Sequence, residues 1–322
     1  MAMNLESEGQ QKNKISWVKV AGTVISILLF IWLMTRFGWQ ELIQSIMLIK
    51  PSAVIIACFF MIVSRFAVAF RWYFLCRSNQ LNISVKNAIE LTFSGLYASN
   101  FLPSTIGGDV VRYLGSIQFD TQKVKCAGSL IMDRLVGMFG MALVLPFGLV
   151  YLIPMLMKGE LDLSVSKPAA SMAFVANEKF QRLINRIKKA VRELFIQIGD
   201  WVRHPISLLM PLLMTAIHMI MMFSIIKLIF QGMGEPIPFM LIAGLYSVGY
   251  FITLIPISIN GYGLQEISIT FLFVNIGGVS TSHAVIMALM IRFIMMAASL
   301  PGMVFLPKLL PDHKRRIETI SN

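Results

Sequence analysis

Charged residues are scarce in this sequence. Asp, Glu, Lys and Arg together make up 14% of the 322 residues, whereas hydrophobic residues make up 57%. The mean hydropathy of +0.74 is far above that of water-soluble domains. This balance excludes a soluble globular domain. It predicts an all-α polytopic membrane protein, because helices satisfy their backbone hydrogen bonds without water.

The sequence also has few residues of the kinds that bind metals or act as nucleophiles, with three cysteines and four histidines. The cysteines lie in or beside apolar runs without the spacing of metal ligands, and the histidines lie far apart. A Walker-type lysine motif is absent from the sequence, so we do not expect this chain to hydrolyse ATP. We therefore expect no metal, no cofactor, no disulfide and no enzymatic activity.

Long apolar runs are present instead. A helix needs about 17–25 apolar residues to cross a bilayer, and such runs occupy residues 18–35, 53–75, 126–156, 206–230, 239–259 and 284–307. Two shorter apolar stretches, residues 88–102 and 267–279, adjoin segments rich in glycine. We predict about eight membrane segments, two of them broken or re-entrant.

Basic residues outnumber acidic ones, and the formal net charge is +12. The basic clusters lie at the ends of the apolar runs, where the positive-inside rule explains them. They predict that both termini lie in the cytoplasm, and they give no reason to expect a nucleic-acid partner.

One long polar insertion divides the chain near its middle. Within it, residues 178–203 place apolar and basic side chains on opposite faces of a helix. This pattern indicates a basic amphipathic helix on the membrane surface or a solvated connector helix. The predicted organisation is a polar cytoplasmic tail (1–16), an N-terminal membrane half (17–157), a loop with the basic helix (158–205), a C-terminal membrane half (206–309) and a cytoplasmic tail (310–322).

Two similar stretches interrupt the membrane halves. GLYASNFLPSTIGGD and GLYSVGYFITLIPISINGYGLQE both pass a proline and a pair of glycines, and they end on Asp109 and Glu266. Breaks are expected at Pro103 and Pro256, because proline removes a backbone donor and clashes with the preceding turn. The positions of the basic clusters give the two stretches opposite orientations, which indicates an inverted repeat around a polar cleft.

Charged residues inside the apolar runs are candidates for function, because each costs a few kcal/mol on insertion scales unless it is paired or hydrated. They are Arg65, Arg71, Glu90, Asp133, Arg134, Lys227, Glu266 and Arg292. We expect Arg71 and Lys227 to snorkel towards the membrane surface. Of the neighbours Asp133 and Arg134, we expect one to face the cleft. We predict that Asp109, Arg112, Glu266 and Arg292 form one charge-balanced cluster there.

Together these motifs resemble those of the lysylphosphatidylglycerol synthase transmembrane (flippase-like) family. The resemblance rests on NFLP from Asn100, on GD-x-x-R from Gly108, on the Asp133-Arg134 pair and on IP-x4-GYG-x-x-E from Ile255 to Glu266. It covers about residues 18–307 and implies an inner-membrane protein that moves lipids, or lipid-linked head groups, between leaflets. It also implies a membrane domain standing alone, without the aminoacyl-transferase domain that some members carry.

The substrate-binding residues expected on this basis are Asn100, Pro103, Gly108, Asp109, Arg112, Arg134, Gly261, Gly263, Glu266 and Arg292. Guanidinium groups bind phosphate in a two-pronged geometry, so the arginines are the expected contacts for an anionic or phosphate-bearing lipid. The acids would hold these arginines, receive a cationic head group or carry a coupling proton. Two other functions stay open, an integral-membrane glycosyltransferase or other lipid-modifying enzyme and a coupled small-solute transporter.

Overall fold

The structure is a computed structural model and describes residue 47 and residues 49–101, 107–158, 206–254 and 263–309. The helices of this part of the chain are α1 (Pro51–Ser78), α2 (Val85–Phe101), α3 (Gly107–Phe119), α4 (Lys123–Lys158), α5 (Ile206–Gly232), α6 (Phe239–Thr253), α7 (Leu264–Asn275), α8 (Thr281–Ser299) and α9 (Pro301–Leu309). No strand occurs among the described residues. The predicted all-α membrane fold is therefore confirmed.

Four of the described helices, α1, α4, α5 and α8, are long and apolar enough to cross a membrane, whereas α6 and α7 are apolar but shorter. The last apolar run, residues 284–307, was expected to form one segment. It instead forms α8 and α9, which meet at Leu300. The break follows from Pro301, because proline has no backbone N–H to continue the hydrogen-bond ladder and is tolerated at the start of a helix.

Each of the two similar stretches contains the end of one helix and the start of another. Helix α2 ends at Phe101 and α3 begins at Gly107, while α6 ends at Thr253 and α7 begins at Leu264. Pro103, Pro256 and Gly261 lie outside the described residues. The first apolar run, the predicted basic helix of residues 178–203 and both predicted tails also lie outside them.

The two membrane halves pack into each other. Helix α1 runs along α5, α4 packs against α6, and α9 packs against α2. In the largest apolar core, the rings of Phe230 on α5 and Phe273 on α7 lie 5.0 Å apart between centroids. The site described below is therefore built from both halves.

The outer surface is apolar as well. On α4, the exposed side chains of Phe139, Leu143, Phe147 and Val150 recur at helical spacing and form one stripe. A contiguous exposed stripe of this kind is typical of contact with lipid. The fold thus places apolar faces outside and, as the next section describes, charged side chains inside.

Candidate functional site

A polar cavity of about 300 Å³ lies within the helix bundle. Residues from α1 to α8 line it, and its charged lining residues are Arg65, Arg71, Asp109, Arg112, Asp133, Arg134 and Arg292. Charged side chains in a bundle interior mark a binding site or a pathway, because each is costly in an apolar surrounding. The cavity is therefore the candidate functional site.

Asp133 on α4 organises the first side of the cavity. Its Oδ1 accepts a hydrogen bond from Arg71 Nε at 2.7 Å, and its Oδ2 accepts one from Arg112 Nη1 at 3.0 Å. The carboxylate is almost fully buried, with a side-chain exposure of 2%. The expectation that Arg71 snorkels is wrong, because this buried carboxylate holds its guanidinium inside the bundle.

Arg112 on α3 has side-chain N–H donors that no described residue accepts. Its guanidinium carbon lies 4.5 Å from the ring centroid of Trp72, a cation–π arrangement that fixes the plane of the group. Its Nε and Nη2 are buried without a hydrogen-bond partner among the described residues. A buried guanidinium donor without a partner is costly. Arg112 is therefore positioned to bind an anion in the cavity.

Asp109 and Arg134 form a more exposed pair at the same cavity. Asp109 Oδ2 accepts from Arg134 Nη2 at 2.7 Å and from Nε at 3.1 Å, which is a two-pronged contact to one oxygen. The side chains are 29% and 58% exposed, respectively. Arg112 Nη1 lies 3.7 Å from Asp109 Oδ1. The structure thus places Asp133 and Arg134 both at the cavity, whereas the sequence predicted only one of them there.

Glu266 and Arg292 form the second ion-paired group. Glu266 Oε1 accepts from Arg292 Nε at 2.5 Å, and Oε2 accepts from the backbone N–H of Gly263 at 2.9 Å. Gly263 has a φ of 77°, a conformation that glycine adopts without strain, and this turn lets the carboxylate reach back to the start of α7. Gln265 Oε1 accepts from Arg292 Nη2 at 3.0 Å.

The four residues predicted as one cluster therefore form two groups. Asp109, Arg112 and Arg292 line the same cavity, and Glu266 lies behind Arg292. Within the predicted cluster, the acid that forms an ion pair with Arg292 is Glu266.

Asn100 near the end of α2 and Gly108 near the start of α3 both line the cavity. Asn100 Nδ2 donates to Ser299 Oγ on α8 at 3.0 Å, which ties α2 to the C-terminal half. A Cβ at Gly108 would collide with Ser99 Oγ and the carbonyl oxygen of Gly95, so only glycine allows α3 to approach α2 so closely. Of the ten predicted site residues, Pro103 and Gly261 lie outside the described residues.

Sequence reasoning left several lining residues out of the predicted site. Arg65, Arg71 and Asp133 carried a signal, since each is a charge inside an apolar run. His218, whose Nδ1 lies 2.7 Å from Ser64 Oγ, carried none beyond its presence in an apolar run. Such a contact is not predictable from the sequence, because Ser64 and His218 lie 154 residues apart.

The fold and site define a polytopic helical membrane protein with an arginine-rich cavity between its halves. Residues 19–302 match the sequence profile of the lysylphosphatidylglycerol synthase TM region. The chain belongs to this family, and the resemblance seen in the sequence is confirmed. Membership indicates a function related to membrane lipids. No curated protein matches the chain.

Proposed function

We propose that this protein moves an anionic, phosphate-bearing lipid from one leaflet to the other, with the head group passing through the arginine-lined cavity. Membership of a lipid-related membrane family supports a lipid substrate. The observation that carries the proposal is Arg112, whose Nε and Nη2 are buried at a cavity without a partner among the described residues. Phosphate oxygens are the acceptors that suit a planar guanidinium best.

The difference in exposure along the cavity supports an order of contacts. The exposed Arg134 shares its donors with Asp109, and the buried Arg112 is anchored by Asp133. A phosphate that reaches Arg134 competes with one accessible carboxylate. A phosphate at Arg112 meets two N–H groups that no carboxylate occupies. The head group is therefore received at Arg134 and held at Arg112, while the acyl chains stay in the lipid.

The carboxylates favour transport over catalysis. Asp109, Asp133 and Glu266 each accept hydrogen bonds from an arginine side chain. A general base needs a carboxylate that is free to take a proton from the substrate. We propose that the protein is not an enzyme and that these acids hold the arginines in place.

The broken pairs α2–α3 and α6–α7 are proposed to be inverted elements that alternate access to the cavity. In this arrangement the protein lies in the inner membrane with both termini in the cytoplasm. The basic segment of residues 178–203 lies there too, because its Lys and Arg residues follow the positive-inside rule. A cysteine introduced at Lys188 should resist an impermeant reagent added outside intact cells and react after the cells are permeabilised. Labelling from outside would contradict this topology.

The function is tested by a leaflet-resolved assay in proteoliposomes that hold the full chain. The candidate lipids are an anionic phospholipid, an aminoacylated phospholipid and a polyprenyl phosphate. We expect Arg112→Gln to slow lipid movement about tenfold or more, since it removes a charge-assisted contact. Arg77→Gln is the matched control, because Arg77 lies exposed at the end of α1. Movement of none of these lipids, together with uptake of a soluble solute, would contradict the proposal.

A further inference from the structure

Arg65, like Arg71 and Arg112, is a buried cation at the cavity, but its environment differs from theirs. It lies near the middle of α1 and is 6% exposed. Its Nη2 contacts Met61 Sδ at 3.3 Å, and its Nε is buried without a partner among the described residues. No carboxylate of the described part of the chain forms an ion pair with it. A thioether is a weak acceptor and does not balance the charge.

The acids at the cavity are already engaged by other arginines. Asp133 holds Arg71 and Arg112, Asp109 holds Arg134, and Glu266 holds Arg292. Among the described residues, five arginines line the cavity, and two lining carboxylates together with Glu266 oppose them, which leaves an excess of two positive charges. Residues 102–106 and 255–262, which lie outside the described part of the chain, contain no charged residue.

A purely structural role does not account for Arg65. Burying a guanidinium without a partner is unfavourable, and an apolar residue of similar volume fills such a place at no electrostatic cost. The neighbouring Ser64 hydroxyl and His218 imidazole are hydrogen-bonded to each other, and neither supplies a negative charge. No described residue supplies the missing counter-charge, and an anionic ligand in the cavity would supply it.

We infer that the cavity accepts a phosphate monoester, with Arg65 binding the second negative charge and Arg112 the first. A phosphodiester carries a single negative charge, whereas a monoester carries between about −1.5 and −2 at neutral pH. The monoester therefore matches the excess of two positive charges. This inference rests on the proposed function, since it names the class of phosphate that the same cavity holds.

Binding to the purified full chain in detergent tests the inference. The probes are dioctanoyl phosphatidic acid, which is a monoester, dioctanoyl phosphatidylglycerol, which is a diester, and inorganic phosphate. At about pH 7.5 we expect the monoester lipid to bind about tenfold more tightly than the diester. The difference should shrink at about pH 5.5, because the second phosphate proton has a pKa of about 6. Tighter binding of the monoester lipid than of inorganic phosphate would assign the site to a lipid, and equal binding would assign it to free phosphate.

Variants of α1 identify the residue responsible. Arg65→Met should weaken monoester binding more than diester binding and so remove the preference for the monoester, because Arg112 stays in place. Arg65→Lys, which keeps a charge at this position, should retain part of the preference and its pH dependence. Arg77→Met removes the same charge from an exposed position on the same helix and should change neither affinity. Size-exclusion profiles and thermal unfolding report whether each variant is folded. If Arg65→Met does not fold, the effect on the monoester preference is measured in Arg65→Lys.

The outcomes separate this inference from the proposed function. Equal affinities for monoester and diester in the unmodified chain would overturn the inference, and so would an unchanged preference in both Arg65 variants. Proteoliposomes that move the diester lipid at the same time would leave the proposed function standing. A monoester preference that depends on Arg65, in a protein that moves no lipid, would support the phosphate site and contradict the transport function.

Discussion

The helix pairs α2–α3 and α6–α7 have a similar arrangement of one acid and one arginine, but they place different side chains inside the bundle. In both pairs, the second short helix has an acid in its first turn, and this acid binds an arginine on the following helix. Asp109 pairs with Arg134, 25 residues later, and Glu266 pairs with Arg292, 26 residues later. Nearly equal spacing in the two halves is what a duplicated element predicts.

The connections around each pair are also fixed in a similar way. Asp120, after α3, accepts hydrogen bonds from the backbone N–H of Asn82, before α2, and from that of Gln122, each at 2.9 Å. Glu235, before α6, accepts from the backbone N–H of Ser280 at 3.4 Å, and its Oε1 lies 3.0 Å from His283 Nδ1, after α7. In each half one acid therefore joins the connection before the pair to the connection after it.

The two pairs differ at the residue three positions after the acid in the first turn of the second helix. Arg112 follows Asp109 at this spacing, whereas the apolar Ile269 follows Glu266, and both line the cavity. The first half adds Asp133 and Arg71 around Arg112, and the second half adds no such group among the described residues. The additional cations of the first half therefore make the charge of the cavity asymmetric.

The largest effect should follow from removing the carboxylate that only the first half has. Asp133→Ala leaves Arg71 and Arg112 without their shared partner, and breaking a buried pair costs about 3–5 kcal/mol. We expect little folded protein on size-exclusion chromatography and a strongly lowered unfolding temperature. Asp133→Asn, which keeps the shape of the side chain, should lose less. A fully folded Asp133→Ala protein with normal lipid movement would show that this group is not central.

A smaller effect should follow in the second half, because Glu266 holds one arginine and not two. Glu266→Ala and Arg292→Ala should each lower stability and stop lipid movement. The double variant should recover part of the stability, since coupling energies of contacting residues are about 0.5–3 kcal/mol. A double-mutant cycle by thermal unfolding measures this recovery. If the single variants leave protein level and lipid movement unchanged, Glu266 and Arg292 are not part of the functional site.

The exposed pair of the first half should matter less for stability than either buried group. Asp109→Asn breaks the contact with Arg134, and surface ion pairs contribute about 0–1 kcal/mol. We expect a nearly unchanged unfolding temperature but a change in the salt dependence of lipid movement, because Arg134 is freed for phosphate. Lys86→Gln, on the exposed first turn of α2, is a control for charge removed outside the cavity. An unfolding temperature lowered as far as in Glu266→Ala would contradict this order.

The sequence predicted several helices and most of the charged cavity residues, but it did not predict which of these residues pair. Apolar run length predicted the helices α1, α4 and α5, because the bilayer sets the length of a spanning helix. The charges inside those runs pointed to most of the cavity residues. The pairing of Arg71 and Arg112 with Asp133 was not predictable, because contacts 62 and 21 residues apart depend on how helices pack.

The smallest expected effect concerns the connections that frame the first pair. The N–H groups of Asn82 and Gln122 hold the pKa of Asp120 below its ordinary value of about 3.9. A lowered folded-state pKa means that Asp120 adds stability above that ordinary value and loses this contribution as the pH falls through the folded-state pKa. Asp120→Asn should therefore unfold at a lower temperature than the unmodified protein at neutral pH, and the gap should narrow as the pH falls below about 4. A gap for Asp120→Asn that stays constant with pH would contradict a contribution of the Asp120 carboxylate to the stability of this connection.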